Sequence, residues 1–348
     1  MKAAYLSFFL IFVFSWFNLF GINPALAVNQ LFFLLVSGLL FFLVKKIGRD
    51  FFLEKYWFFY LVLVFFLILV FFFGDSVRGA KRWINFGFFN FQPSEFLKIF
   101  LIISLAQLFS SSDSFVSPRW LFSTSLLIML FPFILIYKQP DLGTAIVTLI
   151  IFLLMSFFSP IPKKYFFRLF ILFLLISPLI WHFLADYQKT RLIAFINPHL
   201  NSQGTAYNMI QAIITIGSGG FFGKGLGLGT QSKLYFLPEN HTDFAFASLI
   251  EQFGFLGGLV LLILYLIFIL SLFKVIYQFL IDKKNFDFYY LLGLSIMIFS
   301  QMLINMGMNL GIAPITGIPL PIISYGGSSL TALLFGLSLI NIPKKSQL

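Results

Sequence analysis

The sequence contains no cysteine, only three histidines and only 12 acidic residues among its 348 positions. The absence of cysteine excludes disulfide bonds and thiolate metal sites. Charged residues make up 10% of the chain and hydrophobic residues 60%, whereas a soluble domain is nearer half apolar and a quarter charged. Apolar runs such as 56–73 and 255–273 meet the length of about 20 residues that a helix needs to cross a bilayer. The composition therefore predicts a polytopic membrane protein.

Hydropathy predicts an all-α fold in a single integral membrane domain, residues 1–348, with about ten transmembrane helices. The charges between the spans indicate that both termini are cytoplasmic, because the short segments 21–30 and 312–324, which then face outward, contain no Lys or Arg. Most of the net charge of +11 is thus a topology signal and does not indicate nucleic-acid binding. A large extracytoplasmic loop, about 185–243, is predicted between spans 7 and 8. The predicted spans are about 4–20, 31–45, 57–74, 94–110, 119–137, 142–158, 164–184, 246–273, 288–311 and 325–342.

Two segments depart from this charge rule because they carry cations on the predicted outer side. Residues 74–98 contain Arg78, Lys81 and Arg82, and the large loop contains Arg191. Such side chains either bind phosphate and pyrophosphate groups or anchor the chain among lipid headgroups. We favour the anion site for these four residues and expect them to contact the substrate.

The glycine-rich stretch GSGGFFGKGLGLG, residues 217–229, is not a nucleotide-binding P-loop. That motif requires Gly at 218 and Ser or Thr at 225, where this chain has Ser218 and Gly225. We expect its glycines to let the backbone approach a ligand or a neighbouring helix closely. Phosphate cradling by its N–H groups is the less favoured alternative.

Several carboxylates fall at the ends or in the interior of predicted spans, where an ionisable group is costly unless it has a partner or a role. Glu95 and Lys98 share a helix face and should pair, either to fix helix packing or to line a substrate cavity. Asp141 suits a helix N-cap, and it also borders the predicted cavity. Glu251 either lines that cavity or packs as a polar group. Asp243 stands at the mouth of span 8.

The segment 305–330 predicts a broken helix. Pro314, Pro319 and Pro321 forbid a continuous helix there. Non-helical backbone at membrane depth is tolerated only where protein buries it or where it lines a cavity. We therefore expect this segment to form a wall or floor of a cavity, a feature that also occurs in transporters.

Taken together, these segments resemble the SEDS family (shape, elongation, division and sporulation proteins). The motif TGIPLP and the short termini resemble its RodA-like, rod-shape-determining branch. The matches run in order from about residue 78 to the end of the chain. They are RGAKRWI at 78–84, QPSEFLK at 92–98, QPDLGTA at 139–145, QGTAYNMIQA at 203–212, the glycine-rich stretch, LPENHTDFAFASLIEQFG at 237–254, NMG at 305–307 and TGIPLPIISYGGSS at 316–329.

The resemblance implies a peptidoglycan glycosyltransferase that polymerises lipid II into β-1,4-linked glycan strands during cell elongation and releases undecaprenyl pyrophosphate. The reaction is expected at the outer face of the cytoplasmic (inner) membrane. Expected partners are lipid II, the nascent glycan strand, membrane lipids, a class B penicillin-binding protein and other elongation-complex proteins. Nucleic acid is not an expected partner. The cofactor is unknown; a divalent cation, Mg²⁺ or Mn²⁺, could assist, but the sequence shows no dedicated metal cage.

The acid of the family's HTDF motif falls on Asp243, which the resemblance implies is catalytic. Gln252 stands where a second Glu is common in the family, which puts a paired acid with Glu251 in doubt. Because the pyrophosphate of lipid II leaves without protonation, a single general base suffices, and Asp243 is the candidate. The expected substrate-binding residues are Arg78, Lys81, Arg82, Arg191, Glu95, Lys98, Asp141 and Glu251.

Two other functions fit parts of the sequence. A lipid II flippase would also be polytopic with a broken helix, and a non-catalytic scaffold would use Asp243 only as a helix cap. A carrier needs access from both faces of the membrane, whereas the unusual charges here cluster on the outer side. We therefore favour the polymerase.

Overall fold

The computed structural model describes residues 2–77, 80–87, 90–111, 117–184, 186–197 and 205–341. Within these ranges the fold is mostly helical, with one small sheet. The helices are α1 (Lys2–Ile22), α2 (Pro24–Ile47), α3 (Arg49–Glu54), α4 (Tyr56–Phe73), α5 (Pro93–Ser110), α6 (Pro118–Lys138), α7 (Leu142–Phe157), α8 (Lys164–Phe183), α9 (Asp186–Ile196), α10 (Thr205–Ser218), α11 (Thr230–Lys233), α12 (Ala245–Ile281), α13 (Asn285–Asn309) and α14 (Gly327–Ser338).

Every one of the ten predicted spans overlaps a helix. Seven helices (α1, α2, α4, α5, α6, α12 and α13) are long and apolar enough to cross a membrane, and α7 and α14 are shorter apolar helices. The helical, multi-pass class of the fold is thereby confirmed. The number of crossings, the single domain and the side on which each loop lies stay predictions.

Local sequence explains where several helices begin. Pro24, Pro93 and Pro118 occupy the first turns of α2, α5 and α6, where the fixed φ of proline suits a helix and its missing N–H removes no hydrogen bond. The side chains of Asn23 and Ser117 accept hydrogen bonds from free backbone N–H groups of α2 and α6.

A three-stranded antiparallel sheet connects α4 to α5 and was not part of the all-α prediction. Its strands, in the order β1-β2-β3, are β1 (Asp75–Val77), β2 (Ala80–Asn85) and β3 (Asn90–Phe91). The hydroxyl of Ser328 donates to the carbonyl of Asn90 and accepts from the backbone N–H of Gln92, 3.0 Å away. These two bonds attach the sheet to the start of α14.

Helices α5 and α13 form the centre of the bundle. In each of these two helices, 78% of an 18-residue apolar stretch is buried, whereas the corresponding share is 22–44% in the other five candidate spans. The outer helices expose large apolar side chains such as Leu35 and Phe72, at 72% and 73% of their surface. An apolar exterior of this kind suits contact with lipid.

The large loop folds back onto the start of α12. Lys224 N–H donates to the carbonyl of Glu251 at 2.9 Å, and Phe255 N–H donates to the carbonyl of Gly220 at 2.9 Å, beside a kink in α12. A Cβ added at Gly223 would lie 2.2 Å from the carbonyl oxygen of Gln252. The expected close approach of the glycine-rich stretch to a neighbouring helix is confirmed.

Candidate active site

Asp243 lies in the turn immediately before α12, and its backbone is fixed by two amides of α13. The carbonyl oxygen of Asp243 accepts hydrogen bonds from Nδ2 of Asn305 at 2.9 Å and from Nδ2 of Asn309 at 3.1 Å. Asn305 and Asn309 are one helical turn apart and fully buried. The side chain of Asp243 itself is half-buried. The protein thus anchors the backbone of this acid, and the residue as a whole is only partly buried.

The broken segment, residues 310–326, holds the same turn from the other side. Ser324 Oγ donates to the carbonyl of Thr242 at 2.6 Å, and Tyr325 N–H donates to the carbonyl of His241 at 2.8 Å. Gly317 has a φ of +73°, and a Cβ added there would lie 3.5 Å from Oδ2 of Asp243. The carboxylate therefore lies against the main chain of the broken segment.

Helix α7 meets the broken segment at its first turn. The carboxylate of Asp141 accepts from the N–H of Thr144 at 3.2 Å and from its hydroxyl at 2.9 Å, so the expected N-cap is confirmed. A Cβ added at Gly143 would lie 2.7 Å from the carbonyl oxygen of Thr316 and 2.6 Å from Cγ1 of Ile318. This contact places the start of α7 beside the residues that flank Gly317.

Arg82, one of the predicted outer cations that the structure describes, is joined directly to this helix end. Its guanidinium donates to the carbonyl of Pro140, and Nη1 lies 3.7 Å from Oδ1 of Asp141. Lys81 is exposed, with Nζ 3.4 Å from the carbonyl oxygen of Phe71. Arg78 lies outside the described residues.

Arg191, on α9, also approaches the broken segment. It lines a small pocket with Ala194, Phe195, Met209 and Ile315. Ile315 immediately precedes the stretch that contacts α7 and Asp243. The structure therefore brings one cation of the large loop to the edge of the same segment.

Glu95 and Lys98 form the expected ion pair. Nζ of Lys98 lies 2.7 Å from Oε1 of Glu95, and the two side chains are 1% and 5% exposed. Glu95 lines a second small pocket, whose walls include Pro319, Pro321 and Ile322. The pair thus supports the back of the broken segment, and its pairing predicted from the spacing is confirmed.

Glu251 lies on α12 and contacts the glycine-rich stretch and α11. Its carboxylate is fully buried and lies 2.9 Å from Nζ of Lys224. The neighbouring Gln252 donates through Nε2 to Oδ1 of Asn18 at 2.7 Å and accepts from the N–H of Gly227 at 3.0 Å. Position 252 thus both donates and accepts, which an amide can do and an ionised carboxylate cannot.

The residues that sequence reasoning missed are the ones that fix the Asp243 turn. Asn305, Asn309 and Ser324 act through hydrogen bonds to main-chain carbonyls, and only the spacing of the two asparagines on a largely apolar helix hinted at a shared role. Buried amides on one helix face need partners, and that requirement was the available signal. Among the described residues, no three acidic or histidine side chains cluster closely enough to hold a metal ion.

The comparisons with known proteins decide the family. A family model described as "Cell cycle protein", for FtsW, RodA and SpoVE, matches residues 2–347. The chain belongs to this family. The resemblance to SEDS proteins is therefore confirmed, and so is the resemblance to the RodA-like branch.

Relatives and solved structures agree with this assignment. The chain is 37% identical over 286 residues to peptidoglycan glycosyltransferase MrdB of Escherichia coli K12, covering 81% of this chain and 76% of the relative. It is 38% identical over 339 residues to the protein of the same name from Helicobacter pylori, covering 93% and 85%. It is similar to Thermus thermophilus rod shape determining protein RodA, with a TM-score of 0.71, 28% identity and coverage of 98% and 95%.

A further solved structure concerns an assembly. It is described as "Structural coordination of polymerization and crosslinking by a peptidoglycan synthase complex". One of its chains matches with a TM-score of 0.85 and 29% identity, covering 98% of this chain and 96% of that one. The fold of most of the chain is therefore similar to that of a chain in this solved structure.

Proposed function

We propose that this protein is a peptidoglycan glycosyltransferase that polymerises lipid II into β-1,4-linked glycan strands at the outer face of the cytoplasmic membrane during cell elongation. The observation that carries this proposal is the fixed, half-buried Asp243, held by α13 and the broken segment. The peptidoglycan glycosyltransferase names of the relatives support the reaction class.

The reaction requires one proton acceptor. The 4-hydroxyl oxygen of the acceptor sugar attacks the anomeric carbon of the donor MurNAc and forms the new glycosidic bond. The bond from that carbon to the pyrophosphate oxygen breaks, and its electron pair leaves with undecaprenyl pyrophosphate. The hydroxyl proton passes to the carboxylate of Asp243. The α-linked donor becomes a β-linked product, so the step inverts the anomeric centre.

The geometry around Asp243 suits a general base. A catalytic group gains most when its position is fixed before the substrate arrives, because misplacement by about 1 Å can cost about 10²-fold in rate. The carbonyls of His241, Thr242 and Asp243 each accept a hydrogen bond from another element. These bonds restrain the backbone that carries the carboxylate.

The cations on the predicted outer side would receive the leaving pyrophosphate. Arg191 borders this segment, Lys81 is exposed on β2, and Arg78 adjoins the same strand in the sequence. Arg82 would act mainly through Asp141, because its guanidinium is engaged at the start of α7. Positive charge that neutralises the leaving group lowers the barrier to its departure.

A Mg²⁺ or Mn²⁺ ion would depend on the pyrophosphate for most of its ligands. The described residues contain no cluster of three acidic or histidine side chains, so they do not fit a resident ion. A class B penicillin-binding protein is the proposed partner, since a chain of similar structure belongs to a peptidoglycan synthase complex.

The test uses purified protein, with its class B partner and with either Mg²⁺ or Mn²⁺ supplied, and lipid II in detergent. Asp243→Asn preserves shape and removes the base. We expect polymerisation to fall by roughly 10²–10⁴-fold, the usual contribution of a general base, while lipid II binding is retained. Glycan strands are separated on a gel and binding is measured on the same samples.

The alternatives predict different outcomes in this assay. Polymer from both proteins would exclude Asp243 as the base. Detergent leaves no membrane to flip across, so an inert wild-type protein that still binds lipid II would contradict the polymerase and favour the flippase.

A further inference from the structure

Glu251 is a fully buried acid that the proposed reaction does not use. Its Oε1 accepts from Nζ of Lys224 at 2.9 Å and from the N–H of Gln231 at 2.8 Å. Its Oε2 accepts from the N–H and the hydroxyl of Ser232 at 2.9 and 2.7 Å. Both oxygens are thus occupied by donors from α11 and from the glycine-rich stretch. These hydrogen bonds fix the position of the carboxylate, and they also fix α11 and the glycine-rich stretch against α12.

A chain of hydrogen bonds leads from this carboxylate toward Asp243. Ser232 donates to Glu251, and its own carbonyl accepts from the side-chain amide of Asn240. Asn240 is fully buried, and its carbonyl accepts from the hydroxyl of Ser248 at 2.6 Å. Asn240 is three residues before Asp243, in the same turn. The Asp243 turn is therefore fixed at one end by α13 and the broken segment and at the other by the Glu251 cluster.

We infer that Glu251 is a positioning residue for Asp243, which it acts on through Ser232 and Asn240. The inference rests on the proposed function, because it concerns the placement of the base. Glu251 fixes the position of α11 along α12. The carbonyl of Ser232 on α11 then accepts the hydrogen bond from the side-chain amide of Asn240. Losing the carboxylate releases α11, and the turn that carries Asp243 loses the support that the Ser232 carbonyl gives to Asn240.

The chemistry of the cluster requires a carboxylate. Five donors converge on two oxygens, the fifth being the Ser218 hydroxyl at 3.5 Å, and an ionised carboxylate offers only acceptors. A glutamine at this position would have one acceptor oxygen, and its NH₂ group would face donors. The replacement therefore has nearly the same shape but breaks one half of the cluster. Glu251→Gln is thus a sharp test of the connection.

The experiment measures turnover per binding-competent molecule. Wild type and Glu251→Gln are compared in detergent at saturating lipid II, and the number of lipid II binding sites in each sample is titrated. We expect turnover per site to fall by about 10–10²-fold, as for a displaced catalytic group, while the Kd for lipid II stays within about threefold. Glu54→Gln, which alters an exposed acid on α3, is the matched control and should behave as wild type.

A second variant tests the next link and remains informative if Glu251→Gln fails to fold. Asn240→Ala removes the donor to Ser232 but leaves every donor to Glu251 in place. We expect the same loss of turnover per site with binding retained.

The outcomes separate the two proposals. Fewer binding sites with unchanged turnover per site would show a structural role alone and overturn the inference, as would wild-type turnover in both variants. A wild-type protein that binds lipid II without polymerising it would overturn the proposed function and this inference with it.

Discussion

A charge buried in an apolar bundle is stable only when an opposite charge lies beside it, as Glu95 and Lys98 illustrate. The two groups are 2.7 Å apart and almost inaccessible. Breaking such a pair leaves one uncompensated buried charge, whereas replacing both members by neutral groups removes the difficulty altogether. The pair can therefore be tested by single and double substitution.

We expect Glu95→Gln to lower the free energy of unfolding by about 3–5 kcal/mol, because Lys98 would then remain buried without a counter-ion. The double variant Glu95→Gln/Lys98→Met should recover most of this loss. Unfolding in one detergent measures both. Equal stability of all three proteins would contradict the ion pair's structural importance. Glycan synthesis by the double variant then decides its role: retained activity indicates packing, and lost activity indicates a substrate-cavity lining.

Residue-level predictions from sequence succeeded where the partners are near in the chain. The spacing of Glu95 and Lys98 predicted their pairing, and the position of Asp141 before α7 predicted its capping role. The partners of Glu251 lie 19–33 residues earlier, in the large loop, so spacing could not reveal them. Asn305 contacts the backbone of Asp243, and a bond to main chain leaves no trace in residue type.

At the scale of the element, two glycines of the glycine-rich stretch have different surroundings. Gly220 and Gly223 both have positive φ, at +55° and +84°. A Cβ on Gly220 would meet nothing within 4 Å, whereas one on Gly223 would meet the backbone of Gln252 at 2.2 Å. A side chain at Gly220 would therefore meet only backbone strain, whereas a side chain at Gly223 would meet backbone strain and a steric clash.

We expect Gly220→Ala to lower the free energy of unfolding by about 1–2 kcal/mol, the cost of a left-handed backbone for an L residue. Gly223→Ala should cost more by at least about 1 kcal/mol, because the added methyl group overpacks a backbone contact. Thermal unfolding of both variants beside wild type measures the difference. Equal losses would mean that the stretch does not need its close approach to α12.

The starts of several helices could be predicted from the sequence, whereas the small sheet and the kink in α12 could not. Proline and N-cap residues marked the starts of several helices. The small sheet at 75–91 was missed because its strands are short, one of them only two residues long, and pair locally without a strong alternating pattern. The kink of α12 at Gly254, with φ +68°, lies inside the predicted span 246–273, whose largely apolar sequence gave no sign of it.

At the scale of the whole molecule, orientation in the membrane is the prediction that most needs a direct test. The distribution of Lys and Arg over the other segments predicts that the sheet lies outside and the α12–α13 connection inside. Because the natural chain has no cysteine, single substitutions give an unambiguous label. Phe86 and Lys284 are exposed, at 54% for Phe86 and 43% for the side chain of Lys284.

We expect a membrane-impermeant maleimide to label Phe86→Cys in intact spheroplasts and to leave Lys284→Cys unlabelled. Both variants should react after permeabilisation, which controls for accessibility of the thiol. The reverse pattern would invert the topology and move the candidate site to the cytoplasmic side, where the proposed reaction could not occur.

The residues that fix the Asp243 turn lie late in the chain, so they are synthesised after it. The side chains that fix the Asp243 turn are encoded 62, 66 and 82 positions after the residues they contact. A ribosome therefore releases the proposed base well before it releases the groups that restrain its turn. If Asp243 is the base, we expect a chain that ends before α13 to be inactive, because Asn305, Asn309 and Ser324 would be missing.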